Sequence, residues 1–179
     1  MDKALLQLAQ DALRITDVAL RKARCEVADD FDPAHERPQA TVQLMQRALR
    51  SEILELDDGQ SGLHRLFRVH VQLGIRWVRS GKKQRARKPD KKAAPGDGKQ
   101  PEVLALVEAV FVAEYELRTE VDQACLDQFA LHNAPFNIWP FWREYVVSQA
   151  QRMNLPKFVV PLRPLPTPSA DAGKEMGEV

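Results

Sequence analysis

The stretch Phe67-Arg68-Val69-His70-Val71-Gln72-Leu73-Gly74-Ile75-Arg76-Trp77 decides the fold. Every odd position is apolar. Every even position is polar or glycine. A period of two is the signature of a strand with one buried face and one wet face. A second segment, Val103 to Leu117, repeats it with Ala105, Val107, Ala109, Phe111, Ala113 and Tyr115 on one face. Its other face is mixed, but the valines at 107, 110 and 112, with Phe111, favour strand over helix. Two weaker strands precede these. Leu13 and Ile15 alternate until Asp17 shifts the phase to Val18 and Leu20, which predicts a bulge or bend. Thr41 to Leu56 carries Val42 and Leu44, then Leu49 and Ile53, and the turn signal Asp57 to Gly62 joins it to the Phe67 strand. A short helix with Leu5, Leu8, Ala9 and Ala12 on one side is expected before the first strand.

Beyond Leu117 the period lengthens. Thr119 is the expected N-cap of a helix, with Asp122 three residues on and Val121, Cys125, Leu126 and Phe129 along its apolar side. That helix is expected to end at His132 and Asn133, before Pro135. A second helix is expected to open near Pro140, since proline suits a first helical turn. It carries Trp142, Val146, Ala150 and Met153 on one face and ends near Asn154, before Pro156. Four strands in one run and two helices in another predict an α+β domain rather than a βαβ wind.

Charge and composition set the outer bounds. The 179 residues hold 26 Lys and Arg against 25 Asp and Glu, so a globally basic nucleic-acid binder is excluded. Positions 81–100 nevertheless carry a net +6, leaving −5 for the rest. With no Val, Ile, Leu or aromatic residue there, 81–100 is expected to be a mobile insertion in a domain spanning 1–162. The proline-rich stretch 163–179 is expected to be a disordered tail. No apolar run is long enough to span a membrane and no signal peptide opens the chain, so a cytoplasmic protein with reduced thiols is expected.

No catalytic constellation appears: there is no G-x-G-x-x-G, Walker loop, H-E-x-x-H or G-x-S-x-G. His35, His64, His70 and His132 are scattered and read as surface or capping groups. Cys25 and Cys125 read as small buried hydrophobes. Asp29-Asp30-Phe31-Asp32 lacks the glycine and terminal glutamate of a calcium loop. No enzyme, metal or cofactor is expected.

The segment 132–162, HNAPFNIWPFWREYVVSQAQRMNLPKFVVPL, resembles the helical end of the SecB family of bacterial export chaperones. Pro140, Phe141, Arg143 and Glu144 stand where that family opens its helix. Leu155-Pro156 and Val159-Val160-Pro161 stand in its extended apolar tail. The resemblance implies a Greek-key antiparallel sheet, a homo-oligomer built as a dimer of dimers, and ATP-independent holding of unfolded polypeptides. It makes Asp29 to Gln39 the crossover loop bordering a client groove. Typical members deliver clients to the motor SecA, are strongly acidic, and carry a short turn where this chain has its basic insertion. Solitary SecB-like chaperones that protect an antitoxin are the alternative, and a nucleic-acid-binding adaptor using the basic loop is a weaker one.

The residues agree with a binding surface. Phe136, Ile138, Trp139, Phe141 and Trp142 crowd five large apolar side chains into seven positions, too many for one face of a helix. Some must leave the monomer core, into an oligomer interface or a groove, where aromatic groups bind without demanding a specific partner sequence. With Val146, Leu155, Phe158 and Val160 they form the expected peptide-binding set. Trp139 is expected in the loop before the helix, facing the groove.

Overall fold

The computed structural model describes residues 1–57, 63–80 and 101–162. The expected insertion 81–100, the expected tail 163–179 and most of the turn after Asp57 lie outside them. The elements are α1 (Lys3–Ala12), β1 (Leu13–Val27), β2 (Ala40–Asp57), β3 (Leu63–Arg79), β4 (Val103–Leu117), α2 (Gln123–His132) and α3 (Ala134–Arg152). The strands form one sheet in the order β1-β4-β3-β2, all neighbours antiparallel. Strands β2, β3 and β4 follow one another in space, and β1 returns to lie beside β4, the Greek-key order. Ala28 to Gln39 therefore carries the chain from one edge of the sheet to the other, and the buried Phe31 pins this crossover to the core.

The period-two reading of β3 follows from its central position. Phe67, Val69, Val71, Leu73, Ile75 and Trp77 are buried, opposite Tyr115, Ala113, Phe111, Ala109, Val107 and Ala105 of β4. The helices cover this face. Phe67, Tyr115 and Phe129 of α2 meet in edge-on and tilted ring contacts, Tyr115 and Phe129 at 4.8 Å. Phe111 meets Tyr145 of α3 at 6.1 Å, and Trp77 meets Phe158 edge-on at 5.1 Å. The phase shift expected in β1 is present: its register against β4 slips between Ile15 and Asp17, and again between Leu20 and Lys22.

Two helix boundaries differ from expectation in informative ways. α2 begins at Gln123, with Asp122 rather than Thr119 at its N-cap. Thr119 and Glu120 are exposed, Val121 packs against the rim of the core, and the first fully buried side chains are Cys125 and Leu126, so packing sets the start. α3 begins at Ala134, not Pro140, with Pro135 in its first turn and Pro140 inside the helix. Proline there lacks the N–H that would bond to the Phe136 carbonyl. Burial of Ile138 and Trp139, both before Pro140, offsets that loss at roughly 1.5–3 kcal/mol for each large apolar side chain. α3 stops as expected: Asn154 adopts a left-handed φ of 54°, and the N–H groups of Asn154 and Leu155 bond back to Gln151 and Ala150.

α1 lies against α2, with Gln10 Nε2 donating to Asn133 Oδ1 at 2.8 Å. Ala9 and Ala12 are buried as expected, whereas Leu8 faces outward. Asp2 caps α1, its carboxylate accepting from the N–H groups of Ala4 and Leu5 at 3.0 and 3.3 Å. Asp2→Ala removes this cap and is expected to cost about 1 kcal/mol. A thermal midpoint lowered by a few degrees in calorimetry would match that; an unchanged midpoint would show that α1 is held by packing alone.

Candidate functional site

The nine residues of the expected peptide-binding set divide sharply. Ile138, Trp139, Trp142, Val146, Leu155 and Val160 are buried in the monomer core. Phe158 is half-buried, and Phe136 and Phe141 are 55% and 47% exposed. Trp139 does not sit in a loop facing a groove. It lies within α3, 2% exposed, and its indole N–H donates to the Pro161 carbonyl at 2.8 Å. That bond tethers the extended segment after α3 to the helix it leaves.

Two depressions border the exposed apolar groups. One, about 310 Å³, is lined by Val147, Ala150, Gln151, Leu155, Pro156, Lys157 and Phe158. Val159, beside Phe158 in sequence, is 93% exposed. Helical periodicity sets Phe136, Pro140, Arg143 and Val147 in one stripe, so the exposed Phe136 and Val147 share a side of α3. The second depression, about 260 Å³, lies between α3 and the sheet edge, where Phe141 meets Ile15 and Val18 of β1. Leu20, further along β1, is exposed too. Sequence reasoning missed Val147, Val159, Ile15 and Leu20. Val147 had a signal, its spacing of eleven from Phe136. Ile15 and Leu20 had none, because the exposure of β1 depends on its place at the sheet edge.

Electrostatics adds a polar seam between these zones. Cys25 is exposed on β1, contrary to the buried reading, because β1 is an edge strand with no neighbour on its outer side; Cys125 is buried as expected. The Cys25 thiol and the Tyr145 hydroxyl are 3.4 Å apart. Burial, with this contact, pushes the Tyr145 phenol up to about 12. Burial likewise pushes Tyr115 up to about 12, while Asn137 Nδ2, donating to its oxygen at 3.2 Å, acts the other way.

The Tyr115 shift has a defined sign. A phenol whose ordinary value is near 10 keeps its proton in the folded chain up to about 12. Between those values only the unfolded chain loses the proton, so stability is full below pH 10 and falls as pH rises toward 12. Urea unfolding of Tyr115→Phe at pH 8 and pH 11 is expected to show a smaller alkaline loss than the unaltered chain. Equal losses would place the alkaline sensitivity elsewhere.

No protein-family model matches the sequence, and no curated protein matches it. Solved structures do match. The SecB-like chaperone Rv1957 of Mycobacterium tuberculosis, solved in complex with a ChAD peptide from the HigA1 antitoxin, aligns with a TM-score of 0.62. Identity is 17%, and the alignment covers 92% of this chain and 100% of that one. The four-stranded Greek-key sheet, the two following helices and the extended segment after them together are the fold of a SecB-like chaperone.

Proposed function

We propose that this protein is an ATP-independent holdase that binds non-native polypeptides and assembles with copies of itself. The observation that carries the reading is the depression beside α3 lined by Val147, Leu155 and Phe158, with the exposed Val159 next to Phe158 in sequence. It is an apolar edge left open on a fold whose neighbour was solved with a peptide bound. Unfolded chains offer apolar side chains to such an edge. A folded client buries them and loses affinity, so release needs no nucleotide.

The second depression, with Phe141, Ile15 and Val18, suits self-association, because β1 presents an unpaired strand edge with apolar groups on its helix side. A dimer or a dimer of dimers, a cytoplasmic location and the absence of catalysis belong to the same reading. The near-neutral chain favours a dedicated client, such as an antitoxin, over hand-off to SecA, and the antitoxin peptide held by the neighbouring chaperone supports that choice.

The test dilutes a chemically unfolded client into buffer with and without the protein and no nucleotide, while light scattering follows aggregation. Substoichiometric to equimolar protein is expected to suppress aggregation, and the protein itself is expected to elute larger than its 20.3 kDa monomer. Unchanged aggregation of every client tried would overturn the reading.

A further inference from the structure

The side of the sheet turned away from the helices has its own chemistry. At one end it neutralises itself. Arg68 pairs with Glu114 at 2.6 Å, Arg14 with Glu116 at 3.0 Å, and His70 lies 3.3 Å from Glu52. The middle is different. One row across the sheet runs Lys22, Val110, Gln72, Arg47, with cations at both ends and nothing charged between. Neighbouring rows add Arg24 on β1 and Arg50 on β2. Arg24 is held by Glu26 at 2.5 Å and Arg50 is 3.7 Å from Glu52. Lys22 and Arg47 make no ion pair among the described residues.

Between these walls the surface dips. Two depressions of about 330 and 340 Å³ meet at Glu108: one beside Met45, Gly74 and Leu106, the other beside Leu49, Gln72 and Val110. Three strand spacings put the cationic walls about 14 Å apart, wide enough for one extended chain and its side chains. Gly74 helps shape the floor, since a Cβ there would stand 2.9 Å from Met45 Cε and 3.2 Å from Glu108 Cγ.

We infer that this trough is a second interaction surface, which takes an extended polypeptide segment in which carboxylates alternate with apolar side chains. The carboxylates meet Lys22 and Arg47, whose charges have no counterion within the described chain. The apolar groups lie on Leu49, Val110 and Leu106. A nucleic-acid strand fits less well, because no aromatic side chain lines the trough to stack a base. Because the trough and the α3 depression lie on opposite sides of the sheet, an acidic partner and an unfolded client can bind together.

The test uses the full chain and a fluorescein-labelled twelve-residue peptide of alternating Glu and Val, its Gln–Val counterpart, and a labelled dT12 strand, all by fluorescence anisotropy at low salt. The Glu–Val peptide is expected to bind and the Gln–Val peptide to bind at least tenfold more weakly. The double reversal Lys22→Glu/Arg47→Glu is expected to weaken the Glu–Val peptide at least tenfold, and Glu108→Gln to tighten it. The milder Lys22→Gln/Arg47→Gln serves if the reversal disturbs folding. Holdase activity is expected to survive in all these variants, so loss of the acidic site and loss of the client site are read separately. If the double variants leave the acidic peptide within twofold, or if dT12 binds more tightly than the peptide and loses more on reversal, the acidic-segment assignment is overturned.

Discussion

Trp142→Ala is expected to lower the thermal midpoint by about 10 °C. The indole is fully buried, tilted against Tyr145 at 6.2 Å, in the helix that roofs the sheet. Truncating a buried tryptophan costs about 3–5 kcal/mol through lost transfer energy and the cavity left behind. In a chain of this length each kcal/mol moves the midpoint by about 2–4 °C. Trp139→Ala is expected to behave alike, since that ring is also buried and donates to Pro161. Trp139→Phe separates the two contributions, keeping most of the ring while deleting the N–H, and is expected to cost about 1 kcal/mol. Calorimetry at one protein concentration is the measurement, because self-association would make the midpoint concentration-dependent. A Trp142→Ala midpoint within 2 °C of the unaltered chain would show that the ring does not hold the core together.

Val147→Asp is expected to do the opposite: leave the melt nearly unchanged and weaken client binding about tenfold. Val147 is partly exposed on the rim of the α3 depression, so a carboxylate there stays hydrated in the free protein. An apolar client segment entering the depression would have to strip that hydration without supplying a partner, at a cost of a few kcal/mol when fully buried. The partial exposure of the rim limits the loss to about 1.4 kcal/mol, which is tenfold. Clients that span several sites will show less, because a second contact is then made at high local concentration. Binding of a short labelled apolar peptide is therefore the cleaner measurement, with Val159→Asp as its companion. If both variants bind the peptide as the unaltered chain does, the client site lies elsewhere, and the exposed Phe141 at the β1 edge becomes the next position to alter.

The strands were legible in proportion to how unevenly their faces are buried. β3 is central, with helices over one face and an ion-pair network over part of the other, so its composition carries a clean alternation. β4 is blurred because Leu104 and Val112 are buried as well as its helix-side residues. β1 is the weakest because it is an edge: Ile15, Leu20 and Cys25 share the helix side of the sheet and still lie open. The candidate site was legible as a set of aromatics but not as a geometry. Phe136 and Trp139 are three residues apart in one apolar cluster, yet one is 55% exposed and the other 2%.

Sequence alone determined the element types, their order and the α+β class, because period, turn chemistry and helix stops act over a few residues. The bulge after Ile15, the end of α3 at Asn154 and the open alternation of β3 are all local in this sense. Tertiary structure decided where α3 begins and which aromatics remain outside. The intrinsic cost of Pro140 in a helix, about 3 kcal/mol, disfavours helix through 134–140. Burial of Ile138 and Trp139 against residues far away in the chain outweighs it. The same distant packing buried Trp139 and left Val147 and Val159 exposed. Whether a side chain faces a groove depends on what stands opposite, and that is settled by contacts between segments that local sequence does not join.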